Sequence, residues 1–240
     1  MRKFTSKIVR KIVVHTPQRI RNLLKFLGFP KFVNYFLTKE DGELIAQESW
    51  VNFFKSNKDL YLKNWEEYFF LRKIIELARI HKKSRILDVG CGVSTVLHFV
   101  EGKKWGIDPL AETYKKLYPY PKDIIIKKAV GEKIAFSRGF FDVVFCTNSL
   151  DHTDNPAKTL SEIYRVLKPG AFFVLHVDIF KKKAKRDKTH PFCFTQKDCI
   201  RLLGNKFDIL FKAKTNKSIF GKARDRAYFI AVAQKVNKLK

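Results

Sequence analysis

The sequence predicts an α/β fold: a doubly wound, mostly parallel, seven-stranded sheet behind a helical N-terminal extension. Three observations predict it. From residue 85 onward, short apolar runs alternate with helical stretches, and the runs are apolar throughout, as strands covered on both faces must be. The last two runs, 207–214 and 226–235, are separated by only 11 residues. That gap is too short for a helical crossover, so those two strands pair antiparallel. The chain has 240 residues, 45% of them apolar and 30% charged, which suits one α/β domain with some decoration. Global disorder and a disulfide-stapled mini-protein are excluded.

The elements follow in order. Residues 6–14 and 18–27 mix Ile, Val and Leu with Lys and Arg at helical spacing, with Thr16-Pro17 as a start signal between them. Gly28 and Pro30 break that pattern. Further helices are predicted over about 43–56 and 64–81, the second with apolar residues every three or four positions. The strands are 85–90, 105–108, 123–130, 141–148 and 171–180, then the closing pair. Helices are predicted from Ser94 to Val100, over 110–118 and over 155–167, where Lys168-Pro169-Gly170 ends the last. A helix over 195–205 has Thr195 as its N-cap. The boundary falls between a basic helical extension, 1–83, and a sheet domain, 84–240.

The chemistry starts at Asp88-Val89-Gly90-Cys91-Gly92-Val93-Ser94, which closes the first strand. Glycines at 90 and 92 permit a tight turn and close approach of a ligand to main-chain atoms. The third glycine of a dinucleotide-binding loop is missing. Asp88 at the strand end would repel a pyrophosphate but suits a cation. S-adenosylmethionine, with an ammonium and a sulfonium and no phosphate, is such a ligand. Asp108 ends the second strand, where an acid can accept hydrogen bonds from both hydroxyls of a ribose. Its alternative role is to cap the helix near 110.

With ILDVGCG, FDVVFCTNSLDHTDNP and EIYRVLKPGAFFVLHV in this order, the chain resembles class I S-adenosylmethionine-dependent methyltransferases of the broad small-molecule group. The resemblance covers about 84–180 well and extends loosely to 235. It implies a Rossmann-like domain with the final two strands forming a hairpin at the sheet edge, and S-adenosylmethionine as cofactor. It also implies roles for particular residues. Asp88, Gly90, Cys91 and Gly92 match the loop around the methionine moiety, and Asp108 matches the ribose acid. Gly131 and Glu132 match residues around the adenine, although AVGEKIAF departs from the commoner Asp-Ala spelling. Asn148 and Ser149 match the strand end beside the reactive methyl, and Leu150 packs near the adenosine.

Methyl transfer from a sulfonium is an in-line displacement that depends mostly on alignment. A base is needed only for a protonated acceptor of high pKa. His152 is the candidate, with Asp151 or Asp154 to orient its ring. His190, Phe192 and Phe194 are candidates to line the acceptor pocket. Tyr61, Trp65 and Tyr68 either roof the cofactor or pack in the core. The four cysteines show no CxxC pair and no Cys/His spacing of a zinc site, so no metal is expected.

The formal charge is +26, with 49 Lys and Arg against 23 Asp and Glu. Residues 1–39 contribute +10, 40–180 only +2 and 181–240 +14. The surplus therefore lies on the flanks of a nearly neutral core. No apolar run reaches the ~18 residues of a bilayer span, and the start lacks a signal-peptide pattern. The expected setting is cytoplasmic, with the basic start able to lie on an anionic membrane. The expected acceptor is a small molecule or a glycan- or lipid-linked intermediate, methylated on oxygen. An RNA or protein methyltransferase using the basic flanks is the alternative, and a non-catalytic cofactor-binding module is a second. No Pro-Pro-aromatic sequence follows Asn148, which disfavours methylation of a nucleic-acid adenine.

Overall fold

The computed structural model describes residues 39–180, 190–204, 206–219, 221–223 and 226–236. The helices expected over 6–14 and 18–27 lie outside the described residues.

All seven expected strands are present. They are β1 (Arg85–Val89), β2 (Lys103–Asp108), β3 (Ile124–Lys128), β4 (Phe141–Thr147), β5 (Leu167–Phe180), β6 (Phe207–Thr215) and β7 (Arg226–Lys235). Their order in the sheet is β3-β2-β1-β4-β5-β7-β6. β7 runs antiparallel to both of its neighbours, β5 and β6, while the other observed pairs are parallel. The chain-terminal strand is thus inserted one place in from the edge. The order reverses between β1 and β4, and in such sheets the ligand crevice opens there, beyond the carboxyl ends of the strands.

Helices cover both faces. On one face, α5 (Pro156–Val166) and α6 (Gln196–Leu203) bury Leu160, Ile163, Val166 and Leu203 in the same cluster as Leu87, Val144, Phe173 and Phe229. Thr195 caps α6 as expected, in a reciprocal box with Asp198. On the other face, α2 (Lys58–Glu67) and α3 (Leu71–Leu77) bury Trp65, Leu71 and Ile74 with Ile86, Val143, Val174 and Ile230. α1 (Lys39–Ser56) adds Phe54, and α4 (Ala111–Leu117) adds Tyr114, to a third, smaller cluster.

Two helical expectations differ from the structure. The continuous helix over 64–81 is broken at Phe70, which has φ 61°. The break lets adjacent rings serve different partners: Phe69 packs on His176 and Tyr228, and Phe70 on Phe211 of β6. The helix expected from Ser94 shrinks to one 3₁₀ turn, Val96–His98. Thr95 stays extended there because its hydroxyl donates to Asp88 and accepts from the Leu97 amide.

Lys235 closes the structure at the end of α5. Its ammonium donates to the carbonyls of Tyr164 (2.6 Å) and Leu167 (2.7 Å) and lies 4.3 Å from the centre of the Tyr164 ring. A cation is favoured at a helix C-terminus, and these carbonyls have no other helical partner. Lys235→Ala is expected to lower stability by about 1–3 kcal/mol in urea unfolding. Lys235→Arg is expected to recover part of that loss.

Candidate active site

The loop after β1 is held from several directions. Gly90 and Gly92 both take positive φ, 71° and 49°. The amides of Gly90 and Cys91 donate to the Ile107 carbonyl of β2, at 2.8 and 3.2 Å. The Gly92 amide donates to Asp108 Oδ2 (3.1 Å), and Asp108 Oδ1 accepts from the Leu110 amide (2.9 Å). The Tyr120 hydroxyl donates to the Gly92 carbonyl (2.6 Å), and Tyr61 of α2 hydrogen-bonds Ser94. Asp108 therefore ties the residue that precedes α4 to the glycine loop.

Asp88, at the end of β1, lies beneath the loop. It is fully buried and accepts from the Thr95 hydroxyl at 2.6 Å and the Thr147 hydroxyl at 3.4 Å. Burial pushes its carboxyl up to about 7, against those two hydrogen bonds and with the help of the Asp108 charge. The bare protein therefore holds a proton on Asp88 below that pH. A cation bound at the loop favours the ionised form and expels the proton. The affinity for a cationic ligand is expected to rise with pH up to about 7 and then level off. Titration calorimetry in buffers of different ionisation enthalpy checks this; Asp88→Asn should remove the proton release.

The remaining expected site residues fall into three groups. Gly131 and Ser149 border the loop, and Asn148 precedes Ser149 with its amide donating to the His176 carbonyl. A Cβ on Gly131 would lie 2.8 Å from Thr159, and Ser149 donates to the Val89 carbonyl at 2.6 Å. Asn148 is exposed at the end of β4 with φ 52°. Glu132 uses Oε1 to accept from the amides of Asp154 and Asn155, which fastens the start of α5. Cys91 and Leu150 are buried in the two large clusters, so their side chains pack the core.

Gln47 of α1 was not legible as a site residue. Its amide lies above Gly92, with Oε1 3.3 Å from where a Cβ on that glycine would sit. That oxygen is buried and accepts no hydrogen bond among the described residues. Helical periodicity places Gln47 on a helix; it cannot say that the helix crosses the loop.

The two histidines singled out from the sequence come together. The rings of His152 and His190 are 4.3 Å apart, centre to centre. His152 Nε2 lies 3.9 Å from Asp151 Oδ2, and Asp151 is 3% exposed. The Phe192 amide donates to the Asp151 carbonyl, which fixes the segment after β5 to the turn after β4. Phe192 and Phe194 stack with ring centres 6.1 Å apart, and Phe194 is buried. His176 of β5 carried no sequence signal, and its ring lies on the sheet face of Trp65 and Phe69. Burial pushes its imidazole down to about 3, so it is neutral. Trp65, Phe69 and Tyr228 surround it. Of the aromatics considered as a roof, Trp65 is buried in this group and Tyr61 reaches the glycine loop.

The fold is one shared with solved S-adenosylmethionine-dependent methyltransferases, and the loop after β1 lies where such a sheet opens its ligand crevice. Residues 87–175 match the model of the "Methyltransferase domain" family. Over 113 residues the chain is 36% identical to a protein of Aspergillus luteorubrus named "Probable methyltransferase ltbC", covering 39% of this chain and 40% of that one. Over 185 residues it is 25% identical to "Sterol methyltransferase-like 3" of Botryococcus braunii, covering 62% and 47%. The chain thus spans less than half the length of these curated relatives. A solved S-adenosylmethionine-dependent methyltransferase from Methanosarcina mazei shares the fold, with a TM-score of 0.55 at 20% identity, over 68% of this chain and 97% of that one.

The residues present fit S-adenosylmethionine. The orphaned, buried Gln47 oxygen over the glycine loop is an acceptor, as an ammonium requires, and Gly92 leaves the backbone open beneath it. No helix among the described residues is long and apolar enough to cross a membrane.

Proposed function

We propose that the protein transfers a methyl group from S-adenosylmethionine to an oxygen of a small-molecule or glycan- or lipid-linked acceptor. The observation that carries this reading is the His152–His190 pair beside Asp151, at the carboxyl ends of β4 and β5. An imidazole titrates near neutrality and can take the proton of a hydroxyl. The cofactor supplies an electrophilic methyl. The protein holds it through the Gly90–Gly92 loop, Asp108 and Gln47, with Gly131 and Glu132 toward the adenine, and aligns the acceptor hydroxyl near Asn148.

His152→Ala is expected to lower turnover about 10²- to 10⁴-fold, the usual worth of a positioned base, with little change in S-adenosylmethionine affinity. Radiolabelled methyl transfer to an extract of candidate acceptors, with and without the substitution, measures it.

A second reading, methylation of carbon on an apolar acceptor, is favoured by the aromatic group of Trp65, Phe69 and Tyr228 around a neutral His176 and by the likeness to a sterol methyltransferase-like protein. The carbon-13 shift of the labelled methyl separates an ether from a new carbon–carbon bond. The basic N-terminus as an anchor to anionic membrane, or to RNA, belongs to residues outside those described. Liposome and RNA retention across a salt series would distinguish the two.

A further inference from the structure

One potential ligand atom each from Asp151, His152 and His190 lie within 4.8 Å of one another. Asp151 belongs to the turn after β4, which the Phe192 amide holds to the segment carrying His190. The three groups therefore converge from two separate parts of the chain. A second observation points the same way. Asp178 of β5 is 6% exposed, and its Oδ1 accepts no hydrogen bond among the described residues. Its carboxyl feels the charges of both Asp151 and His190. Arg226 engages its other oxygen, Oδ2. A second carboxylate thus lies within electrostatic reach of the Asp151–His152–His190 group, although the cysteine spacing gives no reason to expect a metal.

We propose that Asp151, His152 and His190 bind a divalent transition-metal ion, with Asp178 supplying negative charge beside them. Two imidazoles with a carboxylate suit zinc, cobalt, nickel or iron, whereas magnesium and calcium favour all-oxygen sites. Metal–nitrogen bonds of about 2.1 Å allow donors to stand up to about 4.2 Å apart. His190 is exposed, so a small rotation of its side chain closes the remaining gap.

This proposal deepens the oxygen-methylation reading and rests on it for its use. With three protein ligands, a coordination position stays open for an acceptor hydroxyl. With the ion bound, the two imidazoles serve as ligands in place of a base: coordination lowers the pKa of that hydroxyl, and its proton goes to water. The oxygen then forms a bond to the methyl carbon as the carbon–sulfur bond breaks, leaving a neutral thioether. The acceptor class would be a molecule that chelates through neighbouring oxygens, such as a vicinal diol or hydroxy-carbonyl compound.

The test uses the full chain stripped with a chelator and dialysed. Zn²⁺ is titrated by calorimetry, and Co²⁺ by its visible absorption bands. The four cysteines are all buried and so should not compete. Wild type should bind one equivalent, and His190→Ala should weaken binding at least 10-fold. His190 is exposed, so its removal spares the core, and His152→Ala provides the second variant. S-adenosylmethionine is titrated into every variant and should bind as in wild type. No uptake by wild type, or equal uptake by both variants, would overturn the metal site. If the chelated enzyme still methylates oxygen at full rate, the metal proposal fails while the oxygen reading stands.

Discussion

Gly90→Ala is expected to be the most damaging single methyl group that can be added to this domain. Gly90 has φ 71°, and a Cβ there would lie 2.3 Å from Ser149 Cβ and 2.7 Å from its Oγ. A left-handed backbone costs an alanine about 1–2 kcal/mol, and overpacking a filled site adds about 1–3. The sum, roughly 2–5 kcal/mol, corresponds to a melting temperature lowered by about 5–15 °C in a protein of this size. Because the clash separates β1 from the end of β4, S-adenosylmethionine binding should be lost along with stability. The double variant Gly90→Ala, Ser149→Gly removes the clash and keeps the backbone cost. It should regain the overpacking part of the stability, measured by thermal unfolding as a double-mutant cycle. Equal melting temperatures for the single and double variants would refute this packing.

Asp108→Asn should do the opposite: leave the fold largely intact and remove cofactor binding. Both carboxylate oxygens are in use, one by the Gly92 amide and one by the Leu110 amide. An asparagine keeps the shape but sets an NH₂ donor against one of those donors. A stranded buried amide costs about 1–3 kcal/mol, and a hydrogen bond between a ligand hydroxyl and a charged acceptor is worth about 1.5–3. The lost ligand hydrogen bond should weaken S-adenosylmethionine binding about 10- to 100-fold, while the stranded amide lowers the unfolding midpoint without preventing folding. Asp108→Glu should not rescue, because the longer side chain cannot keep both amide contacts.

Much of this was legible in the residues. The seven strands follow from continuous apolar runs, and the antiparallel closing pair from the short gap between 207–214 and 226–235; β7 itself spans Arg226–Lys235 as read. Glycines 90 and 92 announce a turn, and both have positive φ. Other features depend on contacts distant in sequence. Nothing local says that Phe70 must turn left-handed so that its ring and that of Phe69 can serve different partners. The burial of Asp88 depends on Thr95 and Thr147, seven and 59 residues away. Gln47 lies over Gly92 only because α1 crosses the loop. His152 and His190 each carried a signal, but their meeting is a consequence of how the segment after β5 folds back on Asp151.

The loop from Asp88 to Gly92, with Asp108, is expected to hold S-adenosylmethionine. Titration calorimetry of the full chain with S-adenosylmethionine tests it most directly. The wild type should show saturable 1:1 binding that Asp108→Asn loses while remaining folded. A folded wild type that gives no binding heat, or an Asp108→Asn variant that binds as tightly as wild type, would contradict it.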